Sequence, residues 1–282
     1  MGEVLRVLLD PLQYAFMVRG LIAAVVTGGL CALVGTYVVL RGMAFFGDAL
    51  AHSILPGLAL GYLLGGGSRD SLFWWGLGTA ILAALGIGSL SRGGQLKEDT
   101  AIGVLFAGAM ALGVLLISTS RSYAVDLTHL LFGDVLGVGE SDLIRLGIFA
   151  AFVFAFIIFF YKEFLVISFD PTLAITLRLP TRLLEDLLLI LIAVTIVVAL
   201  QTVGVALMVA MLVTPAATAY LLARRLPTMM ALSVALASFS AVVGLYASYY
   251  AGVASGAAIV LTATVVFLVV RLLQIVRGSS RA

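Results

Sequence analysis

A polytopic α-helical membrane bundle is the fold class that this sequence predicts, on three observations. Of 282 residues, 63% are hydrophobic and 11% are charged, with a mean hydropathy of +1.22. Soluble domains carry roughly 25% charged residues to cover their surface, and sixteen Lys+Arg with fourteen Asp+Glu cannot cover this chain in water. The apolar residues gather into runs close to the roughly 20 residues that a helix needs to cross a bilayer core. These runs are apolar on every face, whereas the strands of a membrane barrel alternate in polarity over segments of about 10 residues.

In order, nine runs qualify: Leu21 to Leu40, Ala51 to Leu64, Leu72 to Leu90, Ala101 to Ser120, Leu143 to Tyr161, Leu187 to Leu200, Val203 to Ala223, Met229 to Tyr249 and Ala257 to Val270. The second reaches spanning length if it starts near Phe45, which brings Asp48 and His52 inside it. The sixth is lengthened at its front by Thr181 to Asp186. About nine spans are expected, within a range of eight to ten. Residues 1–20 lack the basic start, short apolar core and cleavage site of a signal peptide, and read as an interfacial helix or a partial extra span near Leu12 to Met17. Residues 21–273 form the transmembrane domain, and 274–282 a cytoplasmic tail.

Lys and Arg in short loops set orientation. Nine spans place Arg41, Arg92, Lys97, Lys162, Arg178, Arg182, Arg224, Arg225, Arg271, Arg277 and Arg281 on one side. Only Arg6, Arg19, Arg69, Arg121 and Arg145 fall on the other. The richer side is cytoplasmic, and the C-terminus with it.

A net charge of +2 with dispersed basic residues argues against nucleic acid. No phosphate-cradling G-x-x-x-x-G-K-[ST] loop, H-E-x-x-H, G-x-S-x-G or Cys/His zinc spacing occurs, so a transporter or channel component is expected rather than an enzyme. Cys31, inside an apolar run, reads as packing.

The sharpest feature is GDALAHSILPG, from Gly47 to Gly57. Asp48 and His52, four apart, share one helix face. Ionisable residues inside a span are costly and usually face a cavity or substrate path. A carboxylate and a neutral imidazole suit manganese, zinc or iron. The alternative is that Asp48 caps a helix or hydrogen-bonds His52 near the interface. Pro56 and Gly57 are expected to break or kink the helix just after.

RGMAFFGDALAHSILPGLALGYLLG, KEDTAIGVLFAGAMALGVLLIS, LLFGDVLGV, QTVGVALMVAMLVTPAATAYLLARR, GLYASYY and SGAAIVL together resemble the permease family of metal-ion ABC importers, over roughly residues 10 to 275. The resemblance implies the membrane subunit of manganese, zinc or iron uptake, working by alternating access in a bacterial plasma (inner) membrane. It further implies a homodimeric bundle, two copies of a cytoplasmic ATPase, an extracytoplasmic metal-binding protein, and a transported ion in place of a permanently bound cofactor. Asp48 and His52 match the family's aspartate and histidine positions and are the expected metal ligands. Alternative readings are a permease for a metal chelate such as a siderophore or cobalamin, or an ion-coupled carrier working alone.

In the cytoplasmic loop Lys162 to Asp186, Asp170 followed by Pro171 is a good helix start, giving a short helix that ends before Pro180. FDPTLAITLRLP resembles the family's coupling segment, with Phe169, Asp170, Pro171, Leu173, Ala174, Leu177 and Arg178 as the expected ATPase contacts. The family pattern usually carries a glycine near Arg178. An ordinary interfacial loop is the alternative.

Pro215 frees the carbonyl of Met211 and is a candidate hinge. Glu98 and Asp99 read as capping the fourth span. Tyr246, Tyr249 and Tyr250, and Phe73, Trp74 and Trp75, read as interfacial aromatic belts. His129, near Asp126, reads as a solvated loop histidine. Asp134, Glu140 and Asp142 make an acidic outer loop that either attracts cations and docks the binding protein, or is merely solvated.

Overall fold

A computed structural model of the protein describes residues 9–92, 97–119 and 135–279. These residues form twelve α-helices and two 3-10 turns, Pro11–Gln13 and Val135–Gly137, without a strand among the described residues. The helices are α1 (Ala15–Leu40), α2 (Phe46–Ser53), α3 (Leu55–Gly65), α4 (Arg69–Ser91), α5 (Glu98–Ser118), α6 (Glu140–Phe159), α7 (Tyr161–Phe169), α8 (Pro171–Thr176), α9 (Thr181–Val203), α10 (Val205–Leu222), α11 (Leu226–Ala251) and α12 (Ser255–Ser279). Among the described residues, eight of them are long and apolar enough to cross a membrane: α1, α4, α5, α6, α9, α10, α11 and α12.

The remaining run from the sequence is present in two pieces, α2 and α3, which begin next to the expected Phe45 and break at Ile54. Pro56 has no N–H to offer the carbonyl of His52, and the Ile54 N–H pairs with that carbonyl instead. The sixth run is lengthened at its front as expected, to Thr181.

Three boundaries differ from the sequence reading. The first span starts at Ala15, taking residues assigned to an interfacial or extra segment. Arg19 is accommodated near that end by donating from Nε to the Ala15 carbonyl at 3.3 Å. The stretch Lys162 to Asp186, read as a loop with one short helix, holds two short helices and the start of α9, because YKEFLVISF carries helix-compatible residues right up to Asp170. The tail continues α12 to Ser279, no Gly or Pro interrupting it between Ala257 and Arg277.

The chain divides into two compact units. The first comprises residues 1–39, 132–150 and 202–282. There α10, α11 and α12 pack on one another. Without a hydrophobic drive between helices in lipid, small residues permit the close approach on which dispersion depends. Gly35 of α1 lies so near α10 that an added Cβ would overlap the Leu212 carbonyl, and one at Gly244 of α11 would stand 2.7 Å from the Ile259 nitrogen. Buried hydroxyls turn back on their own helix: Thr36 donates to the Leu33 carbonyl at 2.6 Å and Ser233 to that of Met229 at 2.7 Å.

The second unit comprises residues 40–131 and 151–201. In it α2 and α3 pack against α4 and α5. Gly57, read from sequence as part of a break, lies inside α3, where a side chain would collide with Thr79 and the Trp75 carbonyl of α4. Its use is close packing, and the break belongs to Pro56. Gly113 of α5 approaches Leu55 in the same way, an added Cβ standing 2.6 Å from that side chain.

Candidate functional site

Asp48 and His52 lie one turn apart on α2, in the second unit. The helix starts early enough to hold both because FGDALAHS continues the apolar run back from the membrane segment. Phe46 and Leu50 are fully buried on its other face. His52 Nε2 stands 3.7 Å from Asp48 Oδ1, with side-chain exposures of 27% for His52 and 50% for Asp48. That separation is too long for a hydrogen bond, so no direct bond locks the two side chains together. A cation about 2.1 Å from each donor would subtend an angle of roughly 120° between them, an angle ordinary for a coordinated ion. The Phe106 ring meets the imidazole edge-on, centroids 5.9 Å apart, and limits its swing.

No group of three or more His, Cys, Asp and Glu side chains gathers elsewhere among the described residues. Two protein donors on half-exposed side chains leave the other coordination positions to water or backbone. Two donors alone hold an ion far more weakly than a closed four-ligand site.

Residues 169–180 have the local structure that their sequence predicts. Asp170 Oδ1 accepts from the Leu173 N–H at 2.9 Å, Pro171 opens the helix, and α8 ends at Thr176, before Pro180. Arg178 occupies the left-handed region, φ 56°, a backbone conformation that favours glycine. The reversal is closed by the Arg178 N–H on the Ile175 carbonyl at 2.9 Å and the Leu179 N–H on the Ala174 carbonyl at 3.1 Å. Ala174 is fully buried, whereas Phe169, Leu173, Ile175 and Leu177 are exposed. A six-residue helix thus presents apolar side chains outward from one anchored alanine.

Pro215 is buried inside α10. Thr218, three residues on, donates to the Thr214 carbonyl at 2.7 Å, satisfying its hydroxyl within the helix.

Several sequence readings are corrected. Glu98 and Asp99 stand in the first turn of α5, where carboxylates favour the helix dipole, but Lys97 is the N-cap without a side-chain cap bond, and Glu98 also pairs with Arg41 at 3.4 Å. Phe73 is buried and belongs to no belt, whereas Trp74 and Trp75 remain exposed. Tyr249 packs on Tyr250 and Tyr14, centroids 5.1 and 6.3 Å apart. Glu140 and Asp142 open α6, and Asp142 accepts from the Gly139 N–H at 3.2 Å. Asp126, His129 and Asp134 lie outside the described residues.

A second feature was not anticipated. Arg92, counted in the sequence only for membrane orientation, makes a two-toothed ion pair with Asp186 at the start of α9: Nη1 to Oδ2 at 3.2 Å and Nη2 to Oδ1. The two are 94 residues apart in the chain, so no local spacing announces them.

The chain is similar to known membrane transport proteins. A family model described as the ABC 3 transport family matches residues 13–274. The manganese transport system membrane protein MntC of Listeria monocytogenes is 44% identical over 259 residues, covering 92% of this chain and 90% of that protein. A probable iron transport system membrane protein of Haemophilus influenzae is 40% identical over 165 residues, 58% of this chain and 59% of that one. The solved structure of PsaBC from Streptococcus pneumoniae in complex with Fab superposes with a TM-score of 0.80 at 39% identity, covering 93% of each chain.

Proposed function

The chain belongs to the ABC 3 transport family, and from that premise we propose that it is the membrane permease of an ATP-driven importer of divalent transition-metal ions. The observation that carries the ion class is the Asp48–His52 pair, two donors 3.7 Å apart on a broken membrane helix. A chelate such as a siderophore or cobalamin has its metal already coordinated and has no use for such a pair. A carrier working alone has no use for an outward-facing apolar coupling helix. Relatives named for manganese and for iron support the same class and make manganese the first ion to test.

Asp48 and His52 take the ion from water in two steps of partial dehydration, the carboxylate supplying charge and the imidazole a borderline donor. The ion is cargo and not a resident cofactor. Phe169, Asp170, Pro171, Leu173, Ala174, Leu177 and Arg178 receive the cytoplasmic ATPase, which supplies the nucleotide-binding loop absent from this sequence. Two ATPase copies, a second permease copy and an extracytoplasmic metal-binding protein complete the assembly in a bacterial plasma (inner) membrane, with the C-terminus cytoplasmic. Pro215 weakens α10 at the Met211 carbonyl and serves as a hinge for alternating access.

The test is cellular metal content by mass spectrometry in cells expressing the chain with its ATPase and binding protein. Manganese accumulation that Asp48→Ala and His52→Ala each reduce about tenfold or more, at equal membrane expression, is expected; a loss of that size is about 1.4 kcal/mol or more of binding to the path. Accumulation untouched by both substitutions overturns the ligand assignment. No accumulation of any metal by the assembled wild type overturns the importer.

A further inference from the structure

We propose that the Arg92–Asp186 ion pair is the rigid strut that carries movement of the coupling segment to the helix bearing Asp48 and His52. The proposal rests on the reading of residues 169–180 as the ATPase contact. Every part of it lies within the second compact unit.

The path runs through named contacts. From α8 the chain turns at Arg178 and enters α9 at Thr181, and Asp186 sits in the second turn of that helix. Arg92, at the C-terminal end of α4, grips both carboxylate oxygens of Asp186. Its own Nε donates to the Gly88 carbonyl at 3.0 Å, so the guanidinium is fixed to α4 as well as to α9. A planar guanidinium bound through two parallel hydrogen bonds resists rotation as well as separation. Gly88 reinforces the joint: an added Cβ would stand 2.5 Å from Leu189 Cδ1 and 3.1 Å from Arg92 Nη2. The α4–α9 contact therefore combines a forked ion pair with the Leu189 side chain seated on Gly88, within one turn of α4.

On its other side α4 packs on α2 and α3, the two pieces of the metal-bearing segment. A cavity of about 250 Å³ lies at this joint, lined by Arg41, Met43, Arg92, Glu98 and Glu185 among others. Met43 accepts from the Phe46 N–H at 3.0 Å, the first residue of α2. The cavity borders the link into α2 and the start of α5, whose Glu98 is tied to Arg41, and leaves that link room to follow when α4 and α9 move as one body. Interiors filled at crystal density transmit a push; the strut gives it a direction.

The test uses the assembled permease, ATPase and metal-binding protein in proteoliposomes, measuring Mn2+ uptake and ATP hydrolysis in the same vesicles. Arg92→Asp and Asp186→Arg are each expected to lower the Mn2+ moved per ATP hydrolysed about tenfold, within the usual range of coupling energies, and the double variant to restore it. A proportional fall of uptake and hydrolysis in all three variants, with no recovery in the double, reduces the pair to a structural role and overturns the proposal. A second arm does not depend on tolerance of reversed charge. In Cys31→Ala carrying Arg92→Cys and Asp186→Cys, a short bifunctional thiol reagent bridges the joint; a strut predicts retained uptake, and blocked uptake shows that the joint must open and overturns it. Ile175→Asp on α8 separates the two readings. Loss of ATPase association there with a failed charge swap overturns the strut alone, and unchanged association, hydrolysis and uptake overturns the coupling segment and the strut with it.

Discussion

Arg178 holds a left-handed backbone that costs an L-residue with a side chain roughly 1–2 kcal/mol, at the turn between α8 and α9. Replacing it with glycine removes that cost and gives back part of it as chain entropy in the unfolded state. Arg178→Gly is therefore expected to stabilise the protein by about 1 kcal/mol, a rise in Tm of roughly 2–4 °C in a detergent melting assay. Gly35 is the opposite case. A methyl group there meets the Leu212 backbone carbonyl, which cannot swing aside as a side-chain tip can, and Gly35→Ala is expected to cost about 1–3 kcal/mol by overpacking. The same melting assay reads it, and an unchanged Tm would mean that α1 and α10 can separate at no cost. Asp48 and His52 were legible at this scale because the chemistry sits in two residue types at a helical interval inside an apolar run. Arg92 and Asp186 were not legible, since a pair closed across 94 residues has no signature in either neighbourhood.

At the scale of elements, the short helix α8 depends on its cap. Asp170→Ala removes the acceptor for the Leu173 N–H, and loss of such a cap costs about 1 kcal/mol. Fraying the first turn of a six-residue helix is expected to lower ATP hydrolysis and metal uptake together, whereas Asp170→Asn, which retains a capping oxygen, keeps both. Pro215→Ala restores the hydrogen bond to the Met211 carbonyl. Membrane metal uptake is expected to fall several-fold while Tm stays level or rises, since the interior proline penalty of about 3 kcal/mol is relieved; full uptake with a raised Tm would leave Pro215 a packing residue only. The broken span shows why boundaries resisted reading. The run from near Phe45 to Leu64 was legible, but its break at Ile54 into two helices is fixed by Pro56 and by the seating of Phe46 and Leu50 in the core. Likewise KEFLVISF looks like loop from its charges, and becomes helix because its buried Phe164 and Ile167 lie three apart.

For the molecule as a whole, the excess of Lys and Arg on one side predicts a cytoplasmic C-terminus. Single cysteines at Ser280 and Ser68 on a Cys31→Ala background check this: a membrane-impermeant thiol reagent is expected to label Ser68→Cys in intact cells, and Ser280→Cys only after permeabilisation. Reversal of that pattern would invert the topology and move α8 away from any cytoplasmic partner. Fold class and family were legible because a membrane imposes span length and polarity directly on composition, whereas packing between helices is written in scattered glycines that look alike until their neighbours are known. The end of α12 carries one more consequence, for anyone who handles the protein. Gln274 Nε2 donates to the Leu221 carbonyl in the last turn of α10, so Gln274 clasps the end of one helix to another and is not dispensable. An affinity handle should follow Ala282 rather than replace the tail, and truncation at residue 273 would leave the end of α10 with an unanswered carbonyl.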